Sequence, residues 1–355
     1  MSYEVTIEPM GVTIEVDEEQ TILDAALRQG IYLPHACGHG LCGTCKVDIL
    51  EGDVEIGEEA SSFALMDFER DEGKCLTCCS KPESDMVIEA DVEEEEDALY
   101  LPVQDYTGKV VRLEKLTPRI LAVVLEVGGD GVEFQSGQYA NLNIPGVESP
   151  RPFSMADSPG NRNLLEFDVA LIEGGEGTTW IHEQLKVGDE LSFTAPYGNF
   201  FLRKSSPEPM IFFGGGSGLS SPRSMVKDLL ESGDEREIIL FHGARNRKEL
   251  FYCDEFESLE EKYPNFKYIP ALSGPDVEAD WTGGKGFVHE VALDYMNGKF
   301  DGYKVYMCGP PPMIDACINA CMKGRLFERD MYMEKFLTAA DAEGEAKRSP
   351  LFKSI

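Results

Sequence analysis

Positive charge is what this 355-residue chain has least of: 32 Lys and Arg stand against 65 Asp and Glu, a formal net charge of −33. A polyanion repels phosphate backbones, so nucleic acid is not an expected partner. Long apolar runs are missing too, and nothing approaches the ~18 consecutive apolar residues that a membrane span requires. Met1 to Met10 carries no basic segment leading into an apolar stretch, and a soluble, cytoplasmic protein is expected. No internal repeat is visible. Hydrophobic residues make up 42% of the chain, enough to exclude disorder throughout. At about 100–200 residues per domain, the length predicts two or three domains.

Charge and cysteine are unevenly spread. Residues 1–97 hold 26 acidic and five basic side chains, a net of −21, whereas the remaining 258 residues have a net of −12. Six of the ten cysteines, Cys37, Cys42, Cys45, Cys75, Cys78 and Cys79, fall within that acidic quarter; Cys253, Cys308, Cys317 and Cys321 are scattered. With no secretion signal, clustering of this kind favours metal ligation over a disulfide framework.

Apolar residues alternate at Tyr3, Val5, Ile7 and again at Val12, Ile14, Val16 around Gly11, the period of a hairpin. Thr21 and Asp24 form a capping-box pattern ahead of Ile22, Leu23, Ala26 and Leu27, predicting a helix to about Gly30. Met86 to Val92 reads as a strand. The acidic run Glu93 to Asp97 then repels itself and does not pack, placing a linker at about 92–104. From Gly108 to Arg203, short strands punctuated by Gly and Pro predict an antiparallel barrel, with one helix at Thr179–Leu185. After Pro209, strand Met210–Phe213, a glycine-rich turn, amphipathic Ser221–Leu230 and strand Ile238–Phe241 predict a parallel α/β domain.

Cys37-Gly-His-Gly-Leu-Cys42-Gly-Thr-Cys45 has the C-x4-C-x2-C spacing of plant-type 2Fe-2S ligation, with a fourth thiolate expected between Lys74 and Cys79. Glycines at 38, 40 and 43 suit a loop that turns tightly and offers N–H groups to sulfur. A zinc site fits less well: 29 residues separate Cys45 from Cys75, beyond the usual ~15–20, and Cys37 is left over. A Rieske centre would need two histidines in place of two cysteines, so His35 and His39 read as loop polar groups.

Leu76-Thr77-Cys78 resembles plant-type ferredoxin, in which the cysteine after Leu-Thr is the fourth ligand; the resemblance implies Cys37, Cys42, Cys45 and Cys78 as the metal ligands. Arg151-Pro-Phe153-Ser154 resembles the Arg-x-aromatic-Ser motif of the ferredoxin reductase superfamily. There a guanidinium can pair with pyrophosphate, an aromatic ring can lie on the isoalloxazine, and a hydroxyl can bond its polar edge. Gly174-Gly-Glu-Gly177-Thr178-Thr179 is similar to that family's flavin-phosphate turn before a helix. Gly214-Gly215-Gly216-Ser-Gly218 follows an apolar strand and precedes a helix, which lets backbone approach a pyrophosphate. It departs from the dinucleotide fingerprint, because Ser221 stands at the last glycine and no acid closes the strand at Phe241-His242. The superfamily shares that departure. Cys308-Gly309-Pro310 resembles its second nucleotide loop, with the cysteine near the nicotinamide, and Met331–Phe336 resembles its last strand, whose aromatic covers the flavin.

The order of these segments is that of the reductase components of bacterial multicomponent oxygenases. The opening Met-Ser-Tyr-x-Val-Thr-Ile-Glu-Pro, Phe63-Ala-Leu-Met-Asp and the ending Leu351-Phe-Lys-x-Ile355 are most similar to the phenol hydroxylase reductases. The resemblance implies a multidomain α+β and α/β chain. A β-grasp 2Fe-2S ferredoxin domain would occupy 1–92, a linker 93–103, an antiparallel β-barrel FAD domain 104–205, a parallel α/β NAD-binding domain 206–340 and a tail 341–355. It implies Ser154, Cys308 and Phe336 as catalytic residues. Arg151, Phe153, Ser154, Gly177, Thr178, Thr179 and Phe336 would hold FAD, and Gly214, Gly215, Gly216, Gly218, Arg245, Cys308, Gly309 and Pro310 would hold NADH. Arg245, Arg247 and Lys248 follow the strand where an adenosine ribose should lie, and cations there suit a 2′-phosphate as well; the family branch points to NADH. The implied activity is hydride transfer from NADH to FAD, then single-electron transfer through the cluster to a di-iron hydroxylase partner docking on the acidic ferredoxin domain. None of the five histidines has Glu three residues before it, so the chain itself lacks a di-iron carboxylate signature. The alternatives are the reductase of a propane, alkene or methane monooxygenase or of a Rieske dioxygenase, and a non-catalytic redox sensor.

Overall fold

The computed structural model describes residues 1–336 apart from Ala36, Cys37, His39, Glu93, Glu94, Asp276 and Glu278. The chain divides into two compact units, with the boundary after Gln104.

The first unit opens on the expected hairpin. Strands β1 (Ser2–Glu8) and β2 (Val12–Asp17) pair with Val5 opposite Ile14 and Ile7 opposite Val12, so alternate side chains share the buried face. Gly11 turns the chain with φ +64°. Helix α1 (Ile22–Arg28) is capped by Thr21, whose hydroxyl accepts the Asp24 N–H at 3.3 Å. Only this forward half of the capping box forms, because the Asp24 carboxylate is taken by Gln20 (2.7 Å) and Arg28 (2.9 Å). Strands β3 (Lys46–Glu51), β4 (Val54–Ile56), β5 (Lys74–Leu76), β6 (Ser80–Pro82) and β7 (Met86–Glu89) follow, with the short helix α2 (Asp67–Asp71) between β4 and β5. The sheet order is β2-β1-β7-β3-β5, with β1 and β7 parallel at its centre, a β-grasp; β4 and β6 form a separate pair. Part of the expected linker packs on this unit: the Val103 N–H donates to the Leu27 carbonyl at 3.0 Å, and Pro102 lies against Gly30. Tyr100, Pro102 and Val103 thus bring apolar contacts to the end of the segment that the acidic run opens.

In the second unit, strands β8 (Gln104–Lys115), β9 (Ile120–Val127), β10 (Tyr139–Leu142), β11 (Arg151–Ser154), β12 (Leu164–Ala170) and β13 (Glu190–Tyr197) form a sheet in the order β11-β10-β13-β8-β9-β12. A bridge from Met155 to Phe167 nearly closes it into a barrel around Val110, Leu125, Leu142, Leu165, Phe167 and Phe193. Helix α3 (Glu176–Glu183) starts three residues before the expected helix, because Gly175 serves as its N-cap and accepts the Thr179 N–H at 3.0 Å.

Beyond the barrel, six parallel strands alternate with helices: β14 (Met210–Gly215), α4 (Ser220–Glu231), β15 (Ile238–Ala244), α5 (Cys253–Lys262), β16 (Phe266–Leu272), β17 (Gly284–Lys285), α6 (Val288–Tyr295), β18 (Lys304–Gly309), α7 (Pro311–Lys323) and β19 (Met331–Lys335). Their order, β17-β16-β15-β14-β18-β19, reverses direction between β14 and β18. Central strands are buried on both faces, with Phe212 stacked on Tyr306 and Phe213 on Phe241, both at 5.2 Å. Each fully buried side chain of this size contributes about 1.5–3 kcal/mol. Among the described residues no helix is long and apolar enough to cross a membrane.

Candidate functional site

The cysteine loop is shaped by the β3–β5 ladder. Lys46 pairs with Leu76, and beyond that pair the Thr77 N–H donates to the Cys45 carbonyl at 3.0 Å. This carries Cys78 alongside Cys45, where the two sulfurs lie 3.2 Å apart; Cys79 Sγ is 3.4 Å from Cys78. Cys75 faces the opposite way along the strand and is fully buried. Cys42 Sγ lies 3.3 Å from the Thr44 hydroxyl. Gly38, Gly40 and Gly43 all have φ near +70°, and a Cβ on Gly40 would stand 2.7 Å from Cys79 Sγ and 2.5 Å from the Glu59 carbonyl. Cys37 and His39 lie outside the described residues.

Two neutral thiols held this closely compete for one acceptor. Cys78 is drawn down by its bond to Cys45, yet the Cys79 thiol and burial leave it pushed up to about 12. Cys45 rises further, through its bond to Cys78 and burial. A metal resolves this by taking the cysteines as thiolates, so the donor set fits an iron–sulfur cluster. Among the described residues no three His, Cys, Asp or Glu side chains assemble a complete metal site. The described portion supplies the Cys45–Cys78 pair, with Cys42 near enough to act electrostatically on Cys45.

The flavin candidates gather on the barrel. The β10–β11 register sets Arg151 opposite Leu142 and Ser154 opposite Tyr139. Arg151 Nη1 donates to the Ser149 carbonyl (2.8 Å) and hydroxyl (2.7 Å), and among the described residues it has no carboxylate partner. The first turn of α3 packs directly on it: a Cβ on Gly177 would lie 3.4 Å from Arg151 Cγ and 2.8 Å from Ile144. Thr178 is used structurally, accepting the Ile172 N–H at 3.1 Å and donating to Gly175. An unpaired guanidinium beside a helix N-terminus fits a phosphate. Phe153 packs against the barrel core and is half-buried.

The nucleotide candidates flank the reversal between β14 and β18, where open α/β sheets bind ligands. Gly216 to Leu219 forms a 3-10 turn, and a Cβ on Gly218 would stand 2.4 Å from Gly309 Cα. The two glycine loops thus touch backbone to backbone, and a Cβ on Gly215 would strike Met313 Sδ at 2.5 Å. Such a cradle fits a pyrophosphate. Pro310 caps α7, and the Phe336 N–H donates to the Gly309 carbonyl at 3.0 Å, which ties the last described residue to this loop. Arg245 is exposed at the end of β15 but already engaged: Glu249 grips it through Nη2 (2.8 Å) and Nε (3.1 Å). Arg247 pairs with Asp280 at 3.1 Å.

Between barrel and nucleotide lobe lies a group the sequence reading did not assemble. Glu334, opposite Cys308 in the β18–β19 register, has its carboxyl 3.4 Å from the Ser154 hydroxyl and 3.8 Å from Cys308 Sγ, which is itself 3.8 Å from the Ser221 hydroxyl. Ser154 and Cys308 were expected here; Glu334 and Ser221 were not. The signal available was the fingerprint departure at Ser221 and a lone acid in the apolar run Met331–Phe336. Burial pushes the Glu334 carboxyl up to about 7, against the lowering by the Ser154, Cys308 and Ser221 donors. Burial likewise raises the Cys308 thiol well above its ordinary value.

Residues 5–83 match the 2Fe-2S iron-sulfur cluster binding domain, 109–202 the oxidoreductase FAD-binding domain, and 212–318 the oxidoreductase NAD-binding domain. The chain is 56% identical over 355 residues to the phenol 2-monooxygenase reductase component DmpP of Pseudomonas sp. strain CF600, covering 100% of both chains. It is 35% identical over 343 residues to the propane 2-monooxygenase reductase component of Rhodococcus jostii, covering 95% of this chain and 92% of the relative. Among solved structures, the reductase GcoB of Amycolatopsis superimposes with a TM-score of 0.85 at 30% identity, over 94% of this chain and 98% of the other.

Proposed function

The chain belongs to the family of monooxygenase reductase components built from 2Fe-2S, FAD-binding and NAD-binding domains, and from that membership we propose that it is the NADH-dependent reductase of a phenol hydroxylase. The observation that carries the reading beyond the family is the meeting of Ser154, Cys308 and Glu334 where barrel and nucleotide lobe join. FAD, when bound, supplies the exchange between two-electron hydride chemistry and one-electron transfer, and the 2Fe-2S cluster carries single electrons onward.

The remaining work falls to side chains. Arg151 and the first turn of α3, with Gly177, Thr178 and Thr179, bind the flavin phosphates, while Phe153 and Ser154 orient the ring. Gly214, Gly215, Gly216, Gly218, Gly309 and Pro310 cradle the nucleotide pyrophosphate. Cys308 stands at the nicotinamide end, and Phe336 shields the flavin until the nicotinamide arrives. Glu334, bonded to the Ser154 hydroxyl and raised by burial to about 7, can hold or release a proton at its Oε2 near neutral pH. NADH is favoured over NADPH because two of the three cations here, Arg245 and Arg247, are already paired with Glu249 and Asp280, leaving Lys248 to meet a 2′-phosphate. Cys37, Cys42, Cys45 and Cys78 ligate the cluster.

The division of the chain into a ferredoxin domain 1–92, linker 93–103, barrel 104–205, nucleotide domain 206–340 and tail 341–355 is part of this proposal. It is supported by the unit boundary after Gln104. Oxidation of cellular NADH assigns the work to the cytoplasm. The electron acceptor is a di-iron hydroxylase docking on the ferredoxin unit. Exposed Phe63, Met66 and Phe68 lie in sequence beside exposed Asp67, Asp71 and Glu72, the apolar-and-acidic mixture suited to a partner with a basic rim. Glu69 belongs to the fold instead, since it accepts Lys46 Nζ at 2.6 Å and the Met66 N–H at 2.9 Å.

The reading is tested by reconstituting the loaded chain with a phenol-oxidising di-iron hydroxylase and NADH at rising salt. Oxygenated product should appear, with electron transfer slowing as salt screens charges over about 8–10 Å, and neutralising Asp67, Asp71 and Glu72 should flatten that slope. NADH oxidation without coupled product would overturn the partner assignment, and an unchanged slope would overturn the docking face.

A further inference from the structure

A second enclosed ionisable cluster lies away from the hydride path, on the outer face of β12. Leu165, Phe167 and Val169 fill the barrel, so Glu166 and Asp168 point outward, yet they are only 5% and 4% exposed because α4 and the segment before α5 cover them. The Tyr252 hydroxyl stands between them, 2.5 Å from Glu166 Oε1 and 2.8 Å from Asp168 Oδ1. Tyr252 is held at φ +58°, an uncommon conformation for a residue with a side chain, which persists only where surroundings over-determine it. Arg223, buried at 5%, lies over the Tyr252 ring at 3.9 Å, grips Glu255 at 2.7 and 3.2 Å, and donates to the Ala156 carbonyl. It reaches Glu166 at 3.6 Å, and Arg112 of β8 reaches the other Glu166 oxygen at 3.1 Å. Lys227 bridges Asp157 and Glu255. The cations therefore serve Glu166, Glu255 and Asp157, and none forms an ion pair with Asp168 among the described residues.

Hydrogen bonds to Asp168 can be counted. Two short oxygen contacts meet at the Tyr252 hydroxyl, which has one proton to give. If that proton goes to Glu166, the charged neighbour with two arginines, the contact to Asp168 is filled only when Asp168 brings a proton of its own. The other Asp168 oxygen accepts from the Ser220 hydroxyl at 3.0 Å, and Ser220 also lies 2.8 Å from the Ser217 carbonyl. Ser217 and Ser220 bracket the turn that carries Gly218 and ends in α4.

We propose that Asp168 is a proton-dependent positioning residue for the nucleotide loop: neutral, it joins Tyr252 to Ser220 and holds the Gly216–Ser220 turn against the barrel, and ionised, it repels Glu166 and loosens that turn. The inference rests on reading the turn as the pyrophosphate cradle. Burial, reinforced by Glu166 and opposed by Arg223 and by the Tyr252 and Ser220 hydroxyls, pushes the Asp168 carboxyl up to about 6. For an acid raised in the folded state, the favourable contribution is complete below its unfolded value and is lost as pH rises through about 6. If the bound turn needs neutral Asp168, the nucleotide complex holds that proton to higher pH than the free chain, so nucleotide affinity should fall as pH rises above about 6.

ADP-ribose is the probe, because it leaves the nicotinamide end, with Glu334 and Cys308, out of the measurement. Its dissociation constant is measured calorimetrically on the flavin-loaded chain between pH 5 and 8. For the parent chain it should rise by at least about threefold across the range. Asp168→Asn keeps a donor for Tyr252 and an acceptor for Ser220, so its affinity should stay at the acid-side value throughout. Ser220→Ala cuts Asp168 from the turn, should flatten the profile at the weaker value, and serves as the test if the first variant does not fold. A parent profile without slope, or a slope unchanged in these variants, would overturn the proposal and leave the cradle standing. Absence of ADP-ribose binding at every pH would overturn both.

Discussion

At the scale of single residues, the sharpest choice lies between adjacent thiols. Cys78 extends the ladder that pairs Lys46 with Leu76 and so reaches Cys45 at 3.2 Å, whereas Cys79 tucks beneath Gly40 in the small core with Ala60, Ala64 and Leu65. Cys78→Ser should therefore abolish the visible absorption of the cluster and its two irons, and Cys79→Ser should keep both. Iron content and absorption spectra decide, and the reverse pattern would move the ligand to Cys79. The loop itself was legible in sequence because ligand spacing along one chain segment is a local property. Glu334 was not: its proximity to Cys308 depends on which strands pair and in what register, and nothing in Met331–Phe336 encodes that β18 is the neighbour.

At the scale of elements, the hairpin, barrel strands and glycine-rich strand–turn–helix were all legible, since each repeats its apolar residues with a fixed period. Element ends were less so. Helix α3 begins at Glu176, three residues before the start suggested by sequence, because Gly175 supplies the cap and its first turn must fit against Arg151. Residues 99–103 looked like free linker beside the acidic run, yet Val103 is bonded to α1. The pairing of α3 with Arg151 has a measurable consequence. Removing a charge-assisted contact costs about 1.5–3 kcal/mol, or roughly ten- to hundredfold in affinity. Arg151→Ala should accordingly lose FAD on dilution while retaining the iron content of its separate unit. Full flavin occupancy after dilution would remove Arg151 from the phosphate site.

At the scale of the whole molecule, two compact units divide the chemistry. On the proposed function NADH is oxidised in the second and electrons leave through the first, whose residues 1–97 have a net charge of −21. The central claim is that the route is serial, from flavin to cluster to hydroxylase. It is tested most directly by rapid anaerobic mixing of NADH with the loaded chain and its Cys78→Ser variant, each in the presence of oxidised hydroxylase. In the parent chain, flavin absorption should fall first, with cluster and hydroxylase reduction following. In the variant, the flavin should be reduced at the parent rate while the hydroxylase stays oxidised. Hydroxylase reduction at the parent rate in a variant that has lost its cluster would contradict the account.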